Sequence, residues 1–151
     1  MSEPEIADIL RSAVSRNITR AHTAYRLKLL AVFMEKGIDL TPDMYFILRH
    51  LWGEQDGCRQ QELADKTDKD KASLTKLIDN LEKRGLVRRS MDGEDRRSKR
   101  VWLTNDGKNL KQIVYPLALQ VVETAEAGVN KEDILRVKET LDQLVSNLRR
   151  G

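Results

Sequence analysis

Eight bases, Lys83, Arg84, Arg88, Arg89, Arg96, Arg97, Lys99 and Arg100, fall within residues 83–100 against three acids, Asp92, Glu94 and Asp95. The segment carries +5, so a chain of net +3 is left near −2 elsewhere. Positive charge gathered in one place is the footprint expected of a polyanion site, not of general basicity. Its centre, "DGEDRRSKRVWLT" (92–104), turns from a charged run into a short apolar strand. Taken alone, such a run reads as a solvated hairpin tip. A second set of groups changes that reading: at 100° per residue Ala72, Ser73, Thr75 and Lys76 share a helix face with Asp79, Asn80 and Lys83. Short donors and acceptors beside a lysine are suited to base edges in a DNA major groove.

Catalytic and metal chemistry have no comparable set. No nucleophile stands at motif spacing from a base, and there is no glycine-rich phosphate loop or zinc-ligand pattern, so neither an enzyme nor a cofactor or metal is expected. Cys58 is the single cysteine. It fits a reducing compartment, and its place before a short helix suits a small packed side chain better than a redox sensor. His22 and His50 lack thiol or carboxylate partners at useful spacing and are expected to be packed or interfacial.

The polar face at 72–83 needs a helix whose other side is buried. "KASLTKLIDNLEKRG" supplies one, with Leu74, Leu77, Ile78 and Leu81 as its apolar stripe, Asp70 as N-cap and Gly85 as its stop. Upstream, "RQQELADKT" reads as a short helix with Leu63 and Ala64 inward, joined by the turn "TDKD". Before it, "LTPDMYFILRHLW" reads as a helix capped by Thr41, with Pro42 in its first turn and Leu48, Leu51 and Trp52 inward. Downstream, "LVRRSM" and "KRVWLT" flank "DGEDRRS" as a two-stranded hairpin. The ends are helical: residues 4–36 carry one continuous stripe from Ile6 to Phe33, and Thr104 caps a helix that Pro116 should kink or break. Asn130 caps a last helix with Ile134, Val137, Leu141, Leu144, Val145 and Leu148 on its stripe.

Helix, short helix, tight turn, helix with a polar face, basic hairpin: this order describes a winged helix-turn-helix. The fold class expected is mainly α with a small β-hairpin wing. One helix enters the major groove, and the hairpin crosses the backbone and offers arginine to the more negative minor groove. The rival is a winged helix that binds protein, which would not need a basic wing and should bind duplex DNA no better than any weakly cationic chain. At 34% charged, 40% hydrophobic and 5% aromatic residues, the composition is that of a soluble helix-rich chain. "MSEPEIADILRSAVSRN" has acids where a signal peptide needs positive charge, and no apolar run approaches about 18 residues, so a cytoplasmic protein with no membrane partner is expected.

The residues resemble the MarR (multiple antibiotic resistance regulator) family of transcription factors over most of the chain. "LTPDMYFILRHL" is similar to the family's second-helix signature, "QQELADKTDKDKASLTKLIDNLEKRGLVRR" to its helix-turn-helix, and "DRRSKRVWLTNDGKNL" to its wing and linking helix. The resemblance implies a DNA-binding regulator, expected to repress, that holds a pseudo-palindromic operator in double-stranded DNA as a homodimer. It implies a helical dimerisation region of residues 1–36 plus 105–151 around a DNA-binding region of 37–104. In that pattern Ala72, Ser73, Thr75 and Lys76 face the major groove, Asp95 orients Arg97 in the minor groove, and Arg96 and Lys99 share the wing. It also implies a cleft near Tyr25, Met34, Met44, Tyr45, Phe46 and Trp52 that takes small phenolic or aromatic acids in many members. The chain departs from the pattern at Arg59, Thr67 and Lys69, and Lys69 is expected to face phosphate instead of packing in the turn.

Overall fold

A computed structural model describes residues 1–92 and 95–150 of the chain, and no side chain from 92 to 98. Its elements are α1 (Glu3–Ser12), α2 (Ser15–Glu35), α3 (Pro42–Gly53), β1 (Cys58–Arg59), α4 (Gln60–Lys66), α5 (Lys71–Lys83), β2 (Val87–Asp92), β3 (Asp95–Leu103), α6 (Asn105–Glu126) and α7 (Lys131–Arg149). Four helices start on the expected caps. Thr41, Asp70, Thr104 and Asn130 accept the backbone N–H groups of Met44, Ser73, Gly107 and Glu132 at 3.2, 2.8, 3.0 and 2.8 Å, satisfying donors that the first turn leaves unpaired. At the far end of α5, Gly85 takes φ +71°. Its N–H reaches the Glu82 carbonyl while the N–H of Leu86 reaches that of Leu81, a paired closure that only a left-handed residue allows cheaply.

Three expectations are corrected. The single helix over 4–36 is two, because Ala13 is extended at φ −65°, ψ 141°. Ser12, Val14, Ser15 and Asn17 are poor helix formers, α1 starts from its own Ser2–Glu5 capping box, and no residue of α1 is buried to hold the junction straight. The wing is not an isolated hairpin: β1 pairs antiparallel with β3 through Cys58–Val101 and Arg59–Arg100, giving the order β1-β3-β2. Two residues are too few for a periodicity signal. Finally, α6 continues through Pro116 without a break. Pro116 and Gln112 are both exposed, so water can take the carbonyl that proline leaves without a donor.

The core joins α5 to its surroundings through Leu74, Ile78 and Leu81, which lie with Ile47, Leu48, Leu63, Val87, Val101 and Phe33 in one buried cluster. The helix α6 closes it with Val114, Ala118 and Val121. The Trp52 indole N–H donates to the Gly107 carbonyl at 2.8 Å, and its ring meets Tyr115 edge-on with centroids 5.5 Å apart. Of the residues named near the implied cleft, Tyr45 and Met44 are core, whereas Met34 is 70% exposed. Among the described residues no helix is long and apolar enough to cross a membrane.

Gly107 sits where a Cβ would strike the Leu86 carbonyl. Helix propensity alone predicts that Gly107→Ala stabilises by about 1 kcal/mol. The backbone collision predicts instead a loss of about 1–3 kcal/mol, and urea denaturation of the two proteins reads the sign.

Candidate nucleic-acid interface

The turn between α4 and α5 is closed by its own groups. The Thr67 hydroxyl donates to the Leu63 carbonyl at 2.6 Å, the Lys69 N–H reaches the Ala64 carbonyl, and Asp68 takes φ +54°. From this turn α5 projects with Ala72, Ser73 and Lys76 exposed and Thr75 half-buried. The hydroxyls are partly committed. Ser73 donates to the Asp70 carboxylate at 2.8 Å, so toward a ligand it presents acceptor lone pairs. Thr75 donates to the Lys71 carbonyl at 2.8 Å and accepts from the Gln60 amide at 3.1 Å. Lys76 has no hydrogen bond or ion pair among the described residues, so its charge is available.

The basic segment divides in two. Lys83, Arg88 and Lys99 are exposed, with the Arg88 guanidinium 5.6 Å from the Trp102 ring centre. Arg84 is held by Asp39 at 3.1 Å, and Arg100 donates to the Gly57 carbonyl at 2.8 Å. The Arg89 side chain is only 16% exposed and pairs with Asp79 at 2.7 Å and Glu82 at 3.1 Å. The reading of +5 as one ligand-facing patch is therefore corrected, because acids remote from or outside the segment engage Arg84 and Arg89 in the fold. Asp95, Arg96 and Arg97 belong to β3, and their side chains lie outside the described residues.

Behind the turn, the Asp43 carboxylate takes both arms of the Arg26 guanidinium, at 2.6 and 3.0 Å, and the Lys69 ammonium at 2.8 Å. The expectation that Lys69 faces phosphate is thereby corrected. One acid joins α2, the start of α3 and the turn before α5. Arg26 above all, with Lys69 beside it, holds the Asp43 carboxyl down at about 2. In the sequence Asp43 shows only as an acid suited to a helix N-terminus, nothing there marks Arg26 or Gln60, and Arg89 shows only as one base of the charged segment. Cys58 is 1% exposed, and burial, reinforced by Glu62, pushes its thiol up to about 11, which keeps it protonated.

A family model for the MarR family matches residues 40–99, from the helix before the turn to the wing. The transcriptional regulator HosA of Escherichia coli O157:H7 is 32% identical over 95 residues, covering 63% of this chain and 70% of HosA. The chain belongs to the MarR family. The crystal structure of the transcriptional regulator PA3341 is 26% identical with a TM-score of 0.79, over 92% of this chain and all of that one. BpsR of Bordetella bronchiseptica is 25% identical with a TM-score of 0.79, over 89% and 94% of the two chains. MarR proteins are DNA-binding transcriptional regulators and not enzymes, a membership that favours the DNA-binding reading over the protein-binding winged helix. In this MarR-family chain the winged helix-turn-helix carries the polar face of α5 and the basic wing on one three-stranded frame.

The Asp43 bridge has a pH signature. Its folded pKa lies below the unfolded value of 3.8, so its contribution is complete above that value and is lost as pH falls toward about 2. At pH 7 Asp43→Asn should cost about 2 kcal/mol in chemical denaturation. The gap between variant and wild type should narrow between about pH 4 and 2.

Proposed function

We propose that this chain is a homodimeric repressor that holds a pseudo-palindromic operator and is released by a small aromatic or phenolic acid. The observation that carries the dimer is the apolar surface at both ends of the chain. Ile9 and Leu10 of α1 are 52% and 67% exposed, Leu135 and Leu148 of α7 are 57% and 83% exposed, and neither helix buries a residue among those described. Such stripes are stable in water when a second copy covers them. On this reading residues 1–36 and 105–151 form the dimerisation region and 37–104 the DNA-binding region. A two-fold dimer then presents two copies of α5 to half-sites about 10 base pairs, or a multiple, apart.

Within each half-site Ala72, Ser73, Thr75 and Lys76 face the major groove. The wing supplies Lys99 and Arg96 to the backbone and Arg97, oriented by Asp95, to the minor groove. The wing-tip roles rest on the resemblance of "DRRSKRVWLT" to the family pattern. Selection of bound duplexes from a random pool at one salt concentration tests the whole reading, and a dimer that enriches no two-fold sequence sinks it. On the selected operator, Lys76→Ala should relax preference at particular bases by about 1–3 kcal/mol. Arg97→Ala should weaken many duplexes alike and flatten the salt slope by about 1. Removing residues 131–151 should leave a protein that is monomeric or aggregated by light scattering and binds the operator poorly.

For the effector, the reading is supported by a cavity of about 470 Å³ between α2, α3 and the turn, whose walls include His22, Phe46, Arg49, His50 and Lys66 beside the Asp43 bridge. The Arg49 guanidinium lies 5.1 Å from the Phe46 ring centre, so a flat anion could stack on the ring and pair with the cation. The solved structure of BpsR concerns regulation of its DNA binding by 6-hydroxynicotinic acid, a small heteroaromatic carboxylic acid. Salicylate-like compounds should weaken operator binding with a coupling of about 1–3 kcal/mol, and operator should weaken ligand binding by the same factor. Titrations in both directions at one salt concentration check this. A compound that binds the free protein yet leaves operator affinity unchanged removes that class.

A further inference from the structure

The geometry points to Arg89 as a positioning residue that locks the wing to the recognition helix, so that the two DNA contacts are made by one rigid piece. Arg89 lies on β2 opposite Val101 of β3, which also pairs with Cys58 of β1. It therefore sits near where the three-stranded frame gives way to the two-stranded wing. Its guanidinium donates to the Gln60 amide oxygen of α4 at 3.3 Å and to the Thr75 carbonyl of α5 at 3.2 Å. It also pairs with Asp79 and Glu82 of α5 at 2.7 and 3.1 Å, and its backbone N–H donates to the second Glu82 oxygen at 3.1 Å. The Gln60 amide N–H₂ completes the ring on the Thr75 hydroxyl. A planar fork with five donors can hold these four partners on two helices at fixed angles, which an ammonium cannot.

This inference rests on the DNA-binding reading and adds how its two halves cooperate. A wing free to swing must give up that freedom on binding, and its cations then act as weakly tethered groups; a wing already aligned gives up little. Simple charge counting makes the opposite prediction for the partners of Arg89. Asp79 and Glu82 are acids on the DNA-reading helix, so neutralising them should favour a polyanion. If they serve to hold Arg89, neutralising them should weaken binding.

The experiment compares wild type, Asp79→Asn/Glu82→Gln and Arg89→Lys on the selected operator at one salt concentration, with thermal melting as the check on folding. Lys99→Ala is added on the wild-type and Arg89→Lys backgrounds. The expected result is that the double variant binds about tenfold weaker despite losing two negative charges. Arg89→Lys should not restore wild-type affinity, and Lys99→Ala should cost a smaller factor on the Arg89→Lys background than on wild type. A double variant that binds as tightly as wild type or tighter overturns the inference. So does a Lys99→Ala effect of equal size on both backgrounds. The two variants disturb opposite sides of the same contact, so misfolding of one leaves the other to decide. A wild type that binds all duplexes alike overturns the DNA reading itself and this inference with it.

Discussion

A helix that keeps a polar face exposed can be held only by its other face, and in α5 that face is Leu74, Ile78 and Leu81, each at most 1% exposed. Full burial of such side chains contributes about 1.5–3 kcal/mol apiece, enough to fix the rotation of a 13-residue helix about its axis. The surrounding elements follow from that requirement. The helices α3 and α4 and the small sheet supply Ile47, Leu48, Leu63, Val87 and Val101 to the same cluster. The turn before α5 and the glycine after it set where the helix starts and stops. The outward direction of Ala72, Ser73 and Lys76 is therefore a consequence of core packing on the opposite side.

Charge is arranged around that frame with a clear division of labour. Cations with a carboxylate or carbonyl partner, Arg84, Arg89 and Arg100, hold the frame together. Lys76, Lys83 and Lys99 stand exposed on α5 and the wing. Long-range attraction needs only the sum of charges, whereas register on a duplex needs a rigid scaffold. The acids Asp79 and Glu82, which would otherwise oppose a polyanion, are the groups that Arg89 uses.

The Asp43 bridge belongs to the same economy at another junction. It ties α2 and the start of α3 to the turn before α5. All three members are half-buried, where an ion pair is less screened than at the open surface. Its position on the wall of the cavity puts a charge-sensitive joint beside a space of about 470 Å³.

Local signals were readable in the sequence because they are satisfied within a few residues. Thr41, Asp70, Thr104 and Asn130 cap the helices they precede, Gly85 stops α5, and the stripe of Leu74, Ile78 and Leu81 is buried as its spacing requires. The order of those elements, with the wing pattern, was sufficient for the fold and for family membership. The site was legible only as a face: the spacing placed Ala72, Ser73, Thr75 and Lys76 together, but not the bonds that commit the Ser73 and Thr75 hydroxyls. What the tertiary structure decided were pairings across long separations: Cys58 with Val101, Arg26 and Lys69 on Asp43, Gln60 and Thr75 around Arg89. A charged side chain has the same composition whether it meets water or a carboxylate brought from 17 or 26 residues away. Only the folded chain settles which cations are already paired and which remain exposed.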